Sequence, residues 1–383
     1  SHDLPASALE QDILPRRVEG YRPSDLDELC AAGEIIWRGC ESLGPDDGRI
    51  ALYLTDHYPK LTGPAEPVSE ELPGRIRQLL AERGALFFDD LAAAIGGFRN
   101  DVLAALWQLV WAGEVTNDTL APLRSLRRGA RHKGRSSGHG RRAFRSRRLT
   151  KMPGSEGRWT LLTKPGGVSP SATERQTALA SQLIRRYGVL TREMVTGENV
   201  AGGFAGLYPV LKAMEESGRV RRGYFVAGLG AAQFAAPGAS ERLREPDSED
   251  DGGEQAIVLA VTDPANPYGA ALPWPAKEDT QARPQRAAGA RVILHQGSLI
   301  GYLGRTGQQL LTFLPDAEPQ RSEVREALAR VLADLAAPGS PVFLTKIDGN
   351  RPSDSELTSN LVGAGFVSTS RGLLHRGGPR TEP

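Results

Sequence analysis

Three times in this chain a leucine is followed three residues on by Leu or Met, four further on by Gly, and two further on by Ile or Val. The copies are Leu26, Leu29, Gly33, Ile35; Leu106, Leu109, Gly113, Val115; and Leu211, Met214, Gly218, Val220. Each reads as the last turns of an amphipathic helix, ended by a glycine able to adopt the left-handed C-cap conformation and followed by an apolar strand residue. This is how the third helix of a winged-helix unit hands over to its wing. One such string arises easily by chance, whereas three in the same grammatical position constrain the architecture.

The second and third copies match further upstream. Gln78, Leu79, Leu80 with Gly84, Ala85, Leu86 correspond to Gln182, Leu183, Ile184 with Gly188, Val189, Leu190. Both segments read helix, short strand, helix, helix, wing. Ser171 and Glu174 form a capping box, and Thr191 suits the N-cap of the next helix. The first unit is incomplete, because only Tyr21 to Trp37 can supply its last helix, with a wing continuing through Ile50 to Leu54. The chain opens Ser-His without an initiator Met, which reads as a tag scar on a fragment of a longer protein.

At 383 residues and 39% hydrophobic content the chain can bury several small cores. Cys30 and Cys40 are too few for a disulfide framework, so a reducing, cytoplasmic setting is expected. No apolar run reaches the roughly 18 residues that span a bilayer, and membrane work is not expected.

The net charge of +1 hides an asymmetry. From Arg124 to Lys151 there are twelve basic residues (Arg124, Arg127, Arg128, Arg131, Lys133, Arg135, Arg141, Arg142, Arg145, Arg147, Arg148, Lys151) and no acid. Such a stretch cannot bury a core and is expected to be mobile. It reads either as an arm that tracks phosphates without demanding sequence or as a solvated linker. A second run, Glu245 to Glu254, is acidic and reads as a linker or a truncated surface loop.

In the third unit the wing carries Arg219, Arg221 and Arg222, with Arg185 and Arg186 on the first helix, which favours phosphate contact. The second unit's third helix starts Phe98, Arg99, Asn100, Asp101, and Arg99 and Asn100 are candidate contacts. Its wing, however, reads Glu114, Thr116, Asn117, Asp118, an acidic surface that would repel phosphate and favour protein packing.

After about residue 255 the grammar changes. Ile257 to Val261, Arg291 to His295, Ser298 to Leu303 and Gln309 to Leu314 read as short strands of a small antiparallel sheet or partly closed barrel, with Gln296-Gly297 turning between two of them. A helix is predicted over Ser322 to Leu335. Ser353 and Glu356 are expected to cap a last helix before a hairpin at Phe366 to Leu374. A proline-rigidified loop at Thr262 to Pro275 carries Tyr268 and Trp274, which could stack unpaired bases or staple the loop to the neighbouring winged helix.

The predicted fold class is therefore α+β: tandem winged-helix domains followed by a small β-barrel or α+β module. The boundaries are 1–63 for a partial winged helix, 64–122 for a winged helix and 123–157 for a basic linker. Then come 158–240 for a winged helix, 241–254 for an acidic linker and 255–383 for the end module.

Ile13-Leu14-Pro15-Arg16-Arg17-Val18 with Tyr21, Leu26-Asp27-Glu28-Leu29 and Gly33-Glu34-Ile35-Ile36-Trp37 resemble the carboxy-terminal region of the large helicase-related (Lhr) bacterial DNA helicases. So do Gly223-Tyr224-Phe225-Val226, Gly228-Leu229-Gly230-Ala231-Ala232-Gln233-Phe234 and the Asp263 to Trp274 loop. The resemblance implies an amino-terminal motor, using ATP and Mg, that unwinds DNA and RNA:DNA hybrids with 3′-to-5′ polarity in DNA repair. It also implies a carboxy-terminal region of winged helices and a β-barrel that looks like AlkZ-type DNA glycosylases, assembles as a homo-tetramer and works at the bacterial nucleoid.

The sequence carries no phosphate loop followed by Lys and Ser or Thr, so no cofactor and no motor activity are expected of this stretch itself. Glycosylase chemistry needs a carboxylate or amide beside the anomeric carbon and a pocket for a flipped base. The Gln-x-Gln or Gln-x-Asp motif of AlkZ-like enzymes would fall before Ser1, and Gln11-Asp12 has the wrong spacing, so no catalytic residue is assigned. The histidines are scattered and none has metal-ligand spacing. Glu193 and Glu198 read as a solvated helix face.

The predicted function is DNA binding, to single strands or DNA/RNA hybrids, and oligomerisation on behalf of the motor. The alternatives are a base-excision glycosylase and a protein-only scaffold.

Overall fold

The computed structural model describes residues 2–63, 67–133, 152–162, 170–230, 232–245, 256–277, 282–337 and 340–377. They fall into two compact units, Ser1–Arg186 and Tyr187–Pro383.

The first unit begins with β1 (Leu4–Pro5) and an unbroken helical run of α1 (Ala6–Ala8), a π turn at Leu9–Ile13 and α2 (Leu14–Arg17). Then come α3 (Pro23–Ala31), β2 (Ile35–Ser42), β3 (Gly48–Leu54) and α4 (Tyr58–Leu61). The sheet order is β1-β3-β2. The first winged helix thus holds a strand and a helical run beyond the expected last helix and wing. The run buries Leu9 and Ile13 and is made of three pieces of 3, 5 and 4 residues, each too short to give a periodic signal of its own.

The second winged helix comprises α5 (Glu71–Arg83), β4 (Leu86–Phe87), α6 (Phe88–Ile95), α7 (Arg99–Trp111), β5 (Val115–Asn117), α8 (Ala121–Lys133) and β6 (Arg158–Leu161). β6 is the middle strand, with Trp159 opposite both Leu86 and Asn117. This pairing corrects the expected boundaries at 122 and 158. Residues 118–157, the basic run included, are an insertion within the wing hairpin rather than a linker between domains. A stretch without hydrophobic periodicity looks like a linker from sequence, while pairing across it is a tertiary fact.

The first two winged helices share one core cluster, running from Ala6 through Trp37, Leu106 and Leu109 to Trp159. Trp37 is fully buried, and its Nε1 donates to Thr119 O at 3.1 Å while Thr116 Oγ1 donates to Trp37 O at 2.6 Å. A Cβ at Gly39 would lie 2.3 Å from Val110 O, so β2 approaches α7 at a distance only glycine allows. Arg124, at the start of α8, ties the two together. Its Nε donates to Glu10 at 2.7 Å and its Nη1 to Asp27 at 2.6 Å. Burial opposes its charge, but these two carboxylates outweigh it and raise its pKa. The first residue of the expected arm is therefore a clamp.

All three glycine stops form the same motif. Gly33, Gly113 and Gly218 have φ of +77°, +74° and +73°. Their N–H groups donate to Cys30 O, Val110 O and Glu215 O, while the following residues donate to Leu29 O, Leu109 O and Met214 O. These are Schellman caps, each followed within a few residues by a wing strand.

The third winged helix follows from α9 (Ala172–Tyr187), whose capping box forms as expected, with Ser171 N donating to Glu174 at 2.8 Å and Glu174 N to Ser171 Oγ at 3.2 Å. It continues in the second unit through β7 (Val189–Leu190), α10 (Arg192–Gly197), α11 (Gly203–Glu216), β8 (Arg221–Gly223), β9 (Gln233–Ala235) and the short α12 (Ala239–Arg242). The sheet order is β7-β9-β8, and Thr191 Oγ1 accepts from Met194 N at the N-cap of α10.

The end module contains β10 (Ile257–Ala260), β11 (Arg291–His295), β12 (Ser298–Leu303), β13 (Gln309–Thr312), α13 (Gln320–Asp334), β14 (Val342–Leu344), β15 (Lys346–Ile347), α14 (Thr358–Gly363), β16 (Val367–Thr369) and β17 (Gly372–His375). Gln296 and Gly297, both at positive φ, turn between β11 and β12. The main sheet is open, ordered β10-β11-β12-β13-β15, and a smaller one is ordered β14-β17-β16. The expected barrel is thus corrected to an open sheet whose edge strands β10 and β15 do not pair. One face packs on α13, burying Ile293, Ile300 and Leu328 together. The other face, with Val292, Leu299 and Tyr302, is covered by the proline-rich loop. The expected cap at Ser353 and Glu356 does not form. Leu357 is the N-cap of α14, and Glu356 instead accepts from Arg321 at 3.0 Å and Arg325 at 3.3 Å.

Among the described residues no helix is long and apolar enough to cross a membrane.

Candidate nucleic-acid interface

The wing of the third winged helix is built on the Gly218 stop. Ser217 to Ala235 contains Arg219, Arg221 and Arg222 and no acidic residue. All three arginines are exposed. Arg219 Nε donates to Ser217 Oγ at 3.1 Å, Arg221 pairs with Glu241 at 3.2 Å and Arg222 with Glu215 at 3.5 Å. Exposed pairs of this kind are weakly held, because solvent screens them, and exchange readily for phosphate. Of the α9 pair, Arg185 is exposed and Arg186 is half-buried.

The loop between β8 and β9 is held from below by Gln233, to which no local sequence pattern assigns a role. Gln233 is fully buried. Its Oε1 accepts from Phe225 N and Val226 N, both at 2.8 Å, and its Nε2 donates to Val226 O at 2.8 Å and Gly230 O at 3.1 Å. A glutamine in an otherwise apolar strand is the one signal that could have revealed it. Glu193, expected on a solvated helix face, closes the same loop from α10. Burial raises its pKa, but hydrogen bonds from its own backbone, Thr191 and the Gly230 backbone overcome this and hold it below the ordinary value. Glu198 accepts from Tyr187 Oη at 2.6 Å.

The second winged helix does not present the acidic wing expected of it. Glu114 is turned inward, accepting from Arg77 Nη2 at 2.9 Å and Val68 N at 2.8 Å, and Asp118 pairs with Arg158 at 3.0 Å. Both charges are met within the fold. At the start of α7, Arg99 pairs with Asp89 and lies 5.1 Å over the Phe88 ring, while Asn100 is exposed. Arg141, Arg142, Arg145, Arg147 and Arg148 lie outside the described residues.

Tyr268 and Trp274 staple the proline-rich loop to its own sheet, and both rings are half-buried there. Their rings stack at 6.5 Å, Trp274 meets Tyr302 edge-on at 5.8 Å, and Tyr268 Oη donates to Gly297 O at 3.2 Å. The sheet has two apolar faces and only one long helix to cover them, so the loop's aromatics cover the other.

Two cavities stand out among the described residues. One, of about 630 Å³ within the first unit, is walled by Ile35, Ile36, Tyr58, Leu161 and Leu162, with Asp118, Arg158 and Arg175 among its polar residues. Asp118 is the one carboxylate among the described residues lining it. Cys30 also lines it, and burial, followed by the nearby Asp27 carboxylate, pushes its thiol up to about 12, so it stays a protonated, poor nucleophile at neutral pH. The second, an open polar cleft of about 780 Å³ in the end module, contains Lys277 and Asp348, paired at 2.8 Å. Asp348 also accepts from Thr312 N at 2.8 Å and Thr312 Oγ1 at 2.6 Å, which makes the group a clamp between β13 and the turn after β15. Among the described residues no cluster of His, Cys, Asp and Glu could hold a metal ion.

Residues 1–55 and 169–255 each match a family model described as a large helicase-related protein, winged-helix domain, the third and fourth such domains respectively. The chain is 40% identical over 402 aligned residues to a Mycolicibacterium smegmatis protein named Lhr helicase/probable uracil glycosylase, covering 97% of this chain and 26% of the relative. It is 37% identical to an Escherichia coli protein named Lhr helicase/uracil glycosylase, covering 97% of this chain and 25% of that relative. The chain thus spans about a quarter of the length of these curated relatives.

Proposed function

For a chain that belongs to the large helicase-related family, carrying its third and fourth winged-helix domains, we propose that it grips DNA, as single strands or DNA/RNA hybrids, on behalf of a motor elsewhere in the full-length protein. The motor's ATP and Mg chemistry lies outside this stretch, and the grip works within a homo-tetramer at the bacterial nucleoid. The observation that carries the reading is the third wing, three exposed arginines on an acid-free segment directly after a glycine-stopped helix.

Each phosphate engaged contributes about 0.7 to the slope of log K against log salt on single strands. Replacing Arg219, Arg221 and Arg222 together by glutamine should therefore lower that slope by up to about 2. Fluorescence anisotropy with single-stranded, duplex and hybrid probes over a salt series measures it. An unchanged slope and affinity would mean that this wing packs against protein. Light scattering at micromolar concentration should return the mass of four chains, and a strict monomer would remove the tetramer from the reading.

A second reading is favoured by one feature of the first unit: the cavity of about 630 Å³ has the size to admit a flipped base and holds the Asp118 carboxylate beside Arg158. Both relatives aligned over 97% of this chain are named as actual or probable uracil glycosylases. In this reading the carboxylate orients water toward the anomeric carbon of a uracil nucleotide. Uracil-containing single strands incubated with the protein and then treated with alkali should be nicked, and Asp118→Asn should slow nicking at least about a hundredfold. Nicking at the full rate by Asp118→Asn would place the chemistry elsewhere.

A further inference from the structure

The loop that Gln233 holds carries an aromatic ring that is largely bare among the described residues. Tyr224 is 82% exposed, higher than any other large apolar or aromatic side chain among the described residues. Its neighbour Phe225 turns the other way, folding over Gly223, where a Cβ would lie 3.2 Å from the ring. Alternation at this point therefore forces residue 224 outward while residue 225 anchors the strand end.

Burying an uncharged amide costs free energy unless it is hydrogen-bonded, and Gln233 directs its hydrogen bonds to the wing loop's backbone. The result is a tip whose backbone is held at Phe225, Val226 and Gly230. Arg221 and Arg222 immediately precede the tip, and no acidic residue lies between Ser217 and Ala235. An exposed ring on a preordered, positively flanked tip loses little conformational entropy on binding and suits a ligand that is anionic and has flat apolar faces.

The geometry points to Tyr224 as a stacking wedge that caps an unpaired base next to duplex DNA, while Arg221 and Arg222 hold the adjoining phosphates. This rests on the DNA-binding reading of the third winged helix and adds to it a preference for junctions between paired and unpaired DNA. Stacking of one base on an aromatic side chain is worth about 1–3 kcal/mol, enough for a preference of roughly tenfold or more.

The test uses the full chain and two probes, a blunt duplex and the same duplex with a 3′ overhang bearing 2-aminopurine at its first unpaired position. Tyr224→Ala should weaken binding to the overhang probe about tenfold, leave the blunt duplex unchanged and abolish the quenching of 2-aminopurine. Tyr224→Phe should retain both affinity and quenching, because the π face and not the hydroxyl makes the contact. If Tyr224→Ala binds and quenches like the parent, or Tyr224→Phe fails as badly as Tyr224→Ala, the wedge is overturned. The triple arginine variant serves as the control. Weaker binding by that variant to both probes keeps the DNA-binding reading standing whatever Tyr224 does, and its indifference would overturn that reading too.

Discussion

Replacing Trp37 by alanine is expected to cost the first unit about 3–5 kcal/mol and to lower its melting temperature by roughly 10 °C. The indole is fully buried in the cluster shared by the first two winged helices, so its removal leaves a cavity that close-packed neighbours collapse into only partly. It also orphans Thr119 O, which accepts from the indole at 3.1 Å. Because the cluster runs from Ala6 to Trp159, the first two winged helices should unfold in one cooperative transition, and the variant should shift that transition without splitting it. Trp37→Phe, which keeps an aromatic ring in the site, should cost clearly less. Differential scanning calorimetry of the two variants checks both points. A shift below about 2 °C, or separate melting of the two winged helices, would show that they are joined beads instead of one folded body.

Neutralising Arg141, Arg142, Arg145, Arg147 and Arg148 together should weaken binding to single-stranded DNA at about 50 mM salt by roughly a hundredfold or more. The salt slope should fall by up to about 3.5, at about 0.7 for each phosphate no longer neutralised. The position of the insertion supports so large an effect. In sequence the run lies between α8, whose first turn is clamped by Arg124 to Glu10 and Asp27, and Met152, which packs on the shared core. Both ends are thus tied to the second winged helix, where Glu114 and Asp118 are internally paired and leave no acidic wing to repel phosphate. Combined with the third-wing substitutions the effects should add, since the two sets share no partner. An affinity and slope equal to the parent's would reduce the run to a solvated connection.

What could be read in advance follows the range of each interaction. The capping box at Ser171 and Glu174 and the Thr191 cap involve residues three apart, and both formed as expected. The expected cap at Ser353 and Glu356 failed because Arg321 and Arg325, far away in sequence, take the Glu356 carboxylate. That Tyr268 and Trp274 pack on a face of their own sheet could not be read in advance, because the residues they meet lie far away in sequence. Gln233 was visible as a polar residue in an apolar strand, but its work on the wing loop depends on where that loop turns back.

The sequence alone determined the three glycine stops and therefore the winged-helix grammar, because a Schellman cap needs only the positive φ and the hydrogen bonds of a few consecutive residues. Tertiary structure alone decided that β5 pairs with β6 across residues 118–157, that two winged helices share a core, and that the end sheet stays open. Strand pairing over such a separation costs loop-closure entropy, which burial of Trp159 and its neighbours offsets. Neither quantity is written in any local pattern of residues.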